Sequence, residues 1–261
     1  MRSATSACPP RSTLGRADCQ PGDESLYDRA VPGPDFAAAR ASLDAAAWRA
    51  LEQAYEALTA GGLPCGAALA DAAGAIVACG RNHAFDPLSG DDPLQGTPLA
   101  HAELNVLARV RTDRDLSADT LWSTQQPCAM CTAAIGFCGV GRTRYLAADP
   151  AFLGTSDPRA GVVVDPTRAD PALAPWAALA NAMFLWPTIS RTGPGGDHIR
   201  RNHQADPEFT DLAVEVFGDD SLGVAGGAGM PSFAAVAARL WPRLADAAER
   251  RATRLNSLPA G

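Results

Sequence analysis

The sequence predicts an α/β layered domain with a mixed sheet, followed by a mostly helical extension. Three observations carry this. A helical apolar stripe precedes two short apolar runs joined by a turn. Helix and strand patterns then alternate up to about residue 148. Beyond Pro150, prolines, aspartates and long apolar-periodic segments replace that alternation.

The first element spans 35–60, where Leu43, Trp48, Leu51, Tyr55 and Leu58 form one stripe and Gly61-Gly62 supplies a stop. Residues 65–70 and 75–78 read as a hairpin around Asp71-Ala72-Ala73-Gly74. Residues 81–98 are rich in Asp, Gly and Pro and read as a loop. Thr97-Pro98 resembles an N-cap followed by proline at the first helical position, so a helix is expected over 99–111. A strand follows over 120–124, a helix from Pro127 to about Cys138-Gly139, and a strand over 142–148.

The organisation expected is a tail over 1–34, a domain over 35–157 and an extension over 158–261. In the extension, Val162-Val163-Val164 is a short apolar run, and 176–186 reads as helical. Residues 193–206 read as a polar loop holding His198, Arg200, Arg201 and His203. Residues 206–217 and 232–255 read as helices, the second kinked or split at Pro242.

Composition narrows the chemistry. The chain of 261 residues is 47% hydrophobic, 20% charged and carries a net charge of −7. That balance disfavours a protein built to grip phosphate backbones. No lysine occurs, which excludes Schiff-base and P-loop lysine chemistry. No uninterrupted apolar run is long enough for a membrane span, and no signal-peptide pattern opens the chain, so a cytoplasmic protein is expected. Seven cysteines without a secretion signal argue against a disulfide framework. Cys65, Cys79 and Cys138 are expected in the core.

Two of the seven stand apart. His101-Ala102-Glu103 is followed by Pro127-Cys128-Ala129-Met130-Cys131. One imidazole and two thiolates suit zinc, and three protein ligands leave a tetrahedral corner for water. Cys128 and Cys131, three apart at a helix start, can reach one metal. Glu103 would serve as proton carrier. On a continuous helix, however, positions 101 and 103 lie about 200° apart, so periodicity alone does not make them converge.

H-x-E followed by P-C-x-x-C is the signature of zinc-dependent nucleobase deaminases. The chain resembles the cytidine deaminase-like superfamily, in the branch holding guanine deaminases, cytosine deaminase and tRNA adenosine deaminases. The resemblance covers roughly 36–155. Leu63-Pro64-Cys65-Gly66-Ala67, Gly80-Arg81-Asn82 and the Asp149-Pro150 step after Tyr145 support it. It implies a three-layer α/β/α sandwich around a mixed sheet of about five strands. It also implies zinc held by His101, Cys128 and Cys131, with Glu103 as proton shuttle. Asn82 would hydrogen-bond the base, and backbone groups of Gly66, Ala67, Ala102 and Cys128 would fix the ring.

The activity implied is hydrolytic deamination of a nucleobase, nucleoside or related small heterocycle, by a homodimer. Nucleic acid and membrane are not expected partners. Two alternatives stand beside it. A tRNA or single-stranded nucleic-acid deaminase would need a basic channel beside the pocket. A catalytically silent zinc module would have no use for Glu103. The chain departs from its relatives at Gln126, where many carry glutamate, in the long 81–98 loop and in the extension.

Overall fold

A computed structural model of the chain describes residues 34–150, 166–224 and 231–257. The apolar stripe near the start becomes two helices, α1 (Pro34–Ser42) and α2 (Ala45–Thr59). Asp44 makes the division. Its extended backbone interrupts the helix, and its side chain accepts the Ala46 N–H at 2.8 Å. Sequence periodicity runs straight through this break because Leu43, before it, and Trp48, after it, are buried in the same core.

The hairpin follows as β1 (Gly66–Ala70) and β2 (Ile76–Arg81), antiparallel to each other. Asp71 closes the turn by accepting the Ala73 and Ala75 N–H groups, both at 2.9 Å. Gly66 is required where β1 crosses α2: a Cβ there would sit 2.0 Å from the Ala50 carbonyl oxygen.

The next elements are α3 (Ala102–Leu107), β3 (Thr120–Gln125), α4 (Ala129–Phe137) and β4 (Arg142–Ala147). The sheet order is β2-β1-β3-β4, with β3 antiparallel to β1 and parallel to β4. Four strands stand among the described residues where about five were expected. The Val162-Val163-Val164 run lies outside the described residues.

Strand alternation sorts the two faces. Ala68, Ala70, Trp122 and Leu146 point to a core shared with α2 and the C-terminal helices. Ala67, Leu69 and Leu121 point to a second core with Ala102 and Val106 of α3 and Ile135 of α4. This is the expected helix–sheet–helix layering.

The C-terminal part comprises α5 (Pro166–Ala169), a 3-10 turn (Pro171–Leu173), α6 (Ala174–Thr192), α7 (Asp197–Ala205), α8 (Pro207–Gly218) and α9 (Phe233–Ser257). The segment Pro171–Thr192 is long and apolar enough to cross a membrane by length and composition. Here it is a core helix, 72% buried, packed on β3 and β4 and against α8 and α9.

Two sequence expectations are corrected. The polar stretch after Gly193 contains α7, whose short stripe, Ile199 and Asn202, is too sparse to register as a helix pattern. α9 is not split at Pro242, and Leu240, Trp241 and Leu244 are buried around it. Their packing offsets the ~3 kcal/mol a mid-helix proline costs.

Candidate metal centre

α3 starts later than Thr97-Pro98 suggested. Thr97 caps a turn instead, its carbonyl accepting the Ala100 N–H at 3.1 Å. His101 is the N-cap of α3, with extended backbone (φ −70°, ψ 153°). It therefore precedes the helix and does not share its wheel with Glu103, which removes the angular objection. Cys128 plays the same part for α4 (φ −67°, ψ 170°), and Cys131 follows in its first turn. Two helix starts thus face each other across one small space.

The Nδ1 atom of His101 lies 3.6 Å from Cys128 Sγ and 3.5 Å from Cys131 Sγ. The three ligand atoms all fall within 4.8 Å of one another, and among the described residues the group comprises these three side chains. Tetrahedral zinc with bonds of ~2.05 Å to nitrogen and ~2.3 Å to sulfur sets the N···S separation at about 3.6 Å. Donor chemistry and spacing both fit the ion, with one corner left for water.

The electrostatics also suit a dication. The hydrogen bond with Cys131, then that with His101, lowers the Cys128 thiol to about 3. Cys131 is pushed up by the Cys128 thiolate and by burial. Its proton is the one a bound metal would displace. His101 is raised, chiefly by its hydrogen bond with Cys128.

Glu103 is buried, and burial raises its carboxyl above the usual range. Ser123 Oγ opposes this by donating to Glu103 Oε1 at 2.8 Å. Burial also pushes the Cys65 thiol up, and the carboxylates of Glu103 and Asp149 add to it.

Residues 42–147 match the family model of the cytidine and deoxycytidylate deaminase zinc-binding region. A solved structure from work on A-to-I editing by tRNA:A34 deaminases is 30% identical, over 40% of this chain and 75% of that one, with a TM-score of 0.34. Over residues 42–147 the chain belongs to the cytidine and deoxycytidylate deaminase zinc-binding family. Guanine deaminase from Bacillus subtilis is 29% identical over 43% of this chain and 70% of its own, with a TM-score of 0.35. NE0047 in complex with 2,6-diaminopurine is 20% identical over 63% of this chain and 95% of its own, with a TM-score of 0.40. None of the curated proteins matches the chain.

The structure thus brings together His101, Cys128, Cys131 and Glu103, the side chains this deaminase-family signature singles out. Asn82 is buried directly after β2. Its Oδ1 accepts the Ala84 N–H at 2.9 Å, and among the described residues its amide nitrogen donates to no protein group. Ala67 and Ala102 are fully buried in one cluster between β1 and α3. Gly66 donates its N–H to Thr124 Oγ1 at 3.1 Å.

Cys138, expected in the core, is exposed just past α4. Gln126 prolongs the β3–β4 pairing: its N–H donates to the Ala147 carbonyl at 2.8 Å and its Oε1 accepts the Asp149 N–H at 3.4 Å. Sequence reasoning missed Ser123 and Asn105. Asn105 Nδ2 donates to the Arg81 carbonyl at 2.8 Å and to the Ala100 carbonyl at 3.2 Å, holding α3 against the residues before it.

Proposed function

We propose that the chain is a zinc-dependent aminohydrolase. Its substrate would be a free amino-substituted nucleobase, nucleoside or related small heterocycle, converted to the keto product and ammonia. One observation carries the reading: a buried carboxylate, Glu103, stands beside a three-donor metal set whose fourth corner no protein side chain fills among the described residues. A structural zinc site closes that corner and has no use for such a carboxylate.

His101, Cys128 and Cys131 would hold zinc, which when bound supplies the Lewis acidity that makes water nucleophilic near neutral pH. Glu103 handles the protons. Ser123 occupies Oε1, which leaves Oε2 to take a proton from the attacking water. Glu103 passes that proton to the ring nitrogen next to the amine-bearing carbon. Glu103 then carries the remaining proton of the added hydroxyl to the amine, so that the C–N bond breaks, the keto group forms and ammonia leaves. Asn82, with an amide nitrogen to spare, would hold the heterocycle, together with backbone groups of Gly66, Ala67 and Ala102. The net charge of −7 and the absence of lysine favour a small ligand over a polyanion. A homodimer and a cytoplasmic location belong to the same reading.

Ammonia release across bases, nucleosides, nucleotides and tRNA tests it, with Glu103→Gln alongside. The wild-type chain should release ammonia from at least one small heterocycle. Glu103→Gln should keep its zinc and lose about 10²–10⁴-fold in turnover. Undiminished turnover in that variant would remove Glu103 from the mechanism. Ammonia from tRNA alone, with steeply salt-dependent binding, would establish the nucleic-acid reading instead. Stoichiometric zinc with no ammonia from any candidate would leave an interaction module.

A further inference from the structure

We infer that Ser123 is a positioning residue for Glu103, holding its carboxylate toward the open face of the metal set; the role rests on the deaminase reading above. The argument begins with the strand. β3 is internal to the sheet, and Ser123 is paired to Ala67 of β1 on one side and Tyr145 of β4 on the other. Its backbone is therefore fixed from both flanks. Alternation places it on the same face as Leu121, toward α3. It is fully buried in a position where an aliphatic side chain would pack as well, so its hydroxyl needs a partner. Glu103 Oε1, 2.8 Å away, is that partner.

The Glu103 side chain has three rotatable bonds, so its direction is set by what holds the carboxylate. Ser123 Oγ is the side-chain hydrogen-bond donor on that carboxylate among the described residues. Because the Ser123 backbone is held on both sides, the bond aims one carboxylate oxygen and leaves the other free.

The test uses the full chain with Ser123→Ala, and with the isosteric pair Ser123→Thr and Ser123→Val, which differ in the hydroxyl at constant volume. Zinc content, kcat, KM and the visible absorption of the cobalt(II)-loaded chain are measured for each. Ser123→Ala and Ser123→Val should retain wild-type zinc and KM within about twofold, while kcat falls about 10- to 100-fold. Their cobalt bands should shift as the carboxylate leaves its place beside the metal. Ser123→Thr should restore both kcat and spectrum. Wild-type kcat and spectrum in Ser123→Val would overturn the assignment. So would loss of zinc in Ser123→Val together with retention in Ser123→Thr, since the hydroxyl would then be supporting the ligands. If the wild-type chain deaminates nothing, the aminohydrolase reading fails, and the cobalt spectra still decide whether Ser123 holds Glu103.

Discussion

The two faces of the sheet are built on different physics. On the α3–α4 side the apolar core is small, made of Ala67, Leu69, Ala78, Ala102, Val106, Leu116, Leu121 and Ile135. Order there comes from polar geometry: two N-cap ligands, a carboxylate tethered by a serine, and Asn105 bridging carbonyls. The exposed large hydrophobics among the described residues, Phe85, Leu88, Leu99 and Phe137, all lie in the segments flanking these groups. On the α2–α6 side the core is aromatic. Trp176 touches Trp241, Trp48 and Phe36, with ring centroids 4.7, 5.8 and 6.0 Å away. Charged pairs such as Arg254–Glu208 stand at its rim. The comparison teaches that hydrogen bonds and a metal-ligand set organise the first face, whereas apolar burial organises the second. Perturbations should therefore separate them.

The largest separation should come from Cys131→Ser. Cys131 is fully buried and supplies one of three ligand atoms. The variant should purify with far less than one zinc per chain. A ligand present at a thousandfold its dissociation constant adds about 4 kcal/mol to stability. Chelator should therefore lower the melting temperature of the wild-type chain and leave that of the variant unchanged. The near-ultraviolet tryptophan signal of the aromatic layer should survive in both. Full zinc occupancy in Cys131→Ser would end the assignment of that thiol. Collapse of the tryptophan signal on chelation would show that the two faces are not energetically distinct.

Legibility follows the same division. The ligand set was readable because His-x-Glu and Pro-Cys-x-x-Cys are local patterns whose chemistry is fixed by residue type. Their convergence was not readable. Thr97-Pro98 signals a turn as readily as a helix start, and shifting the start to Ala102 changes His101 from a helical position to an extended cap. Ser123 was invisible for another reason. A serine in an alternating strand reads as solvent-facing, and nothing local reveals a carboxylate 20 residues earlier in the chain on the same face. In the extension, the apolar-periodic segments were legible as α6, α8 and α9. α7 was missed because its helix rests on Ile199 and Asn202 alone, a tertiary choice rather than a periodic one.

Trp176→Ala probes the aromatic layer. The ring is fully buried between α1, α2 and α9, so its removal leaves a cavity and should cost about 3–5 kcal/mol in chemical denaturation. The folded fraction should still bind one zinc per chain, because the ligands come from α3 and α4 on the other face. Zinc lost in step with stability would mean that the aromatic layer sets the metal geometry through the shared strands.

The smallest effect tests the rim. Arg254 contacts both oxygens of Glu208, at 2.7 and 2.9 Å, and ties the end of α9 to the start of α8. Burial acts to raise the Glu208 carboxyl, but the hydrogen bonds from Arg254 and from its own backbone N–H, with the charges of Arg254 and Arg251, together outweigh it and hold the group below its usual value. A depressed carboxyl stabilises the fold above its unfolded value of about 4.3, and that contribution is lost as pH falls through the folded value. Arg254→Ala should cost about 1 kcal/mol near pH 7, the upper end for a partly buried rim pair with two-point geometry. Asp206 also accepts from Arg254, at 3.2 Å, so Glu208→Gln and the double variant are needed to isolate the pair. The coupling should shrink toward zero as the pH falls through the depressed folded value, where Glu208 takes up its proton. A coupling that stays constant from pH 7 down to the acid limit of the folded state would show that Arg254 acts through its packed hydrocarbon stem, and the rim would then belong to the burial physics of the layer it borders.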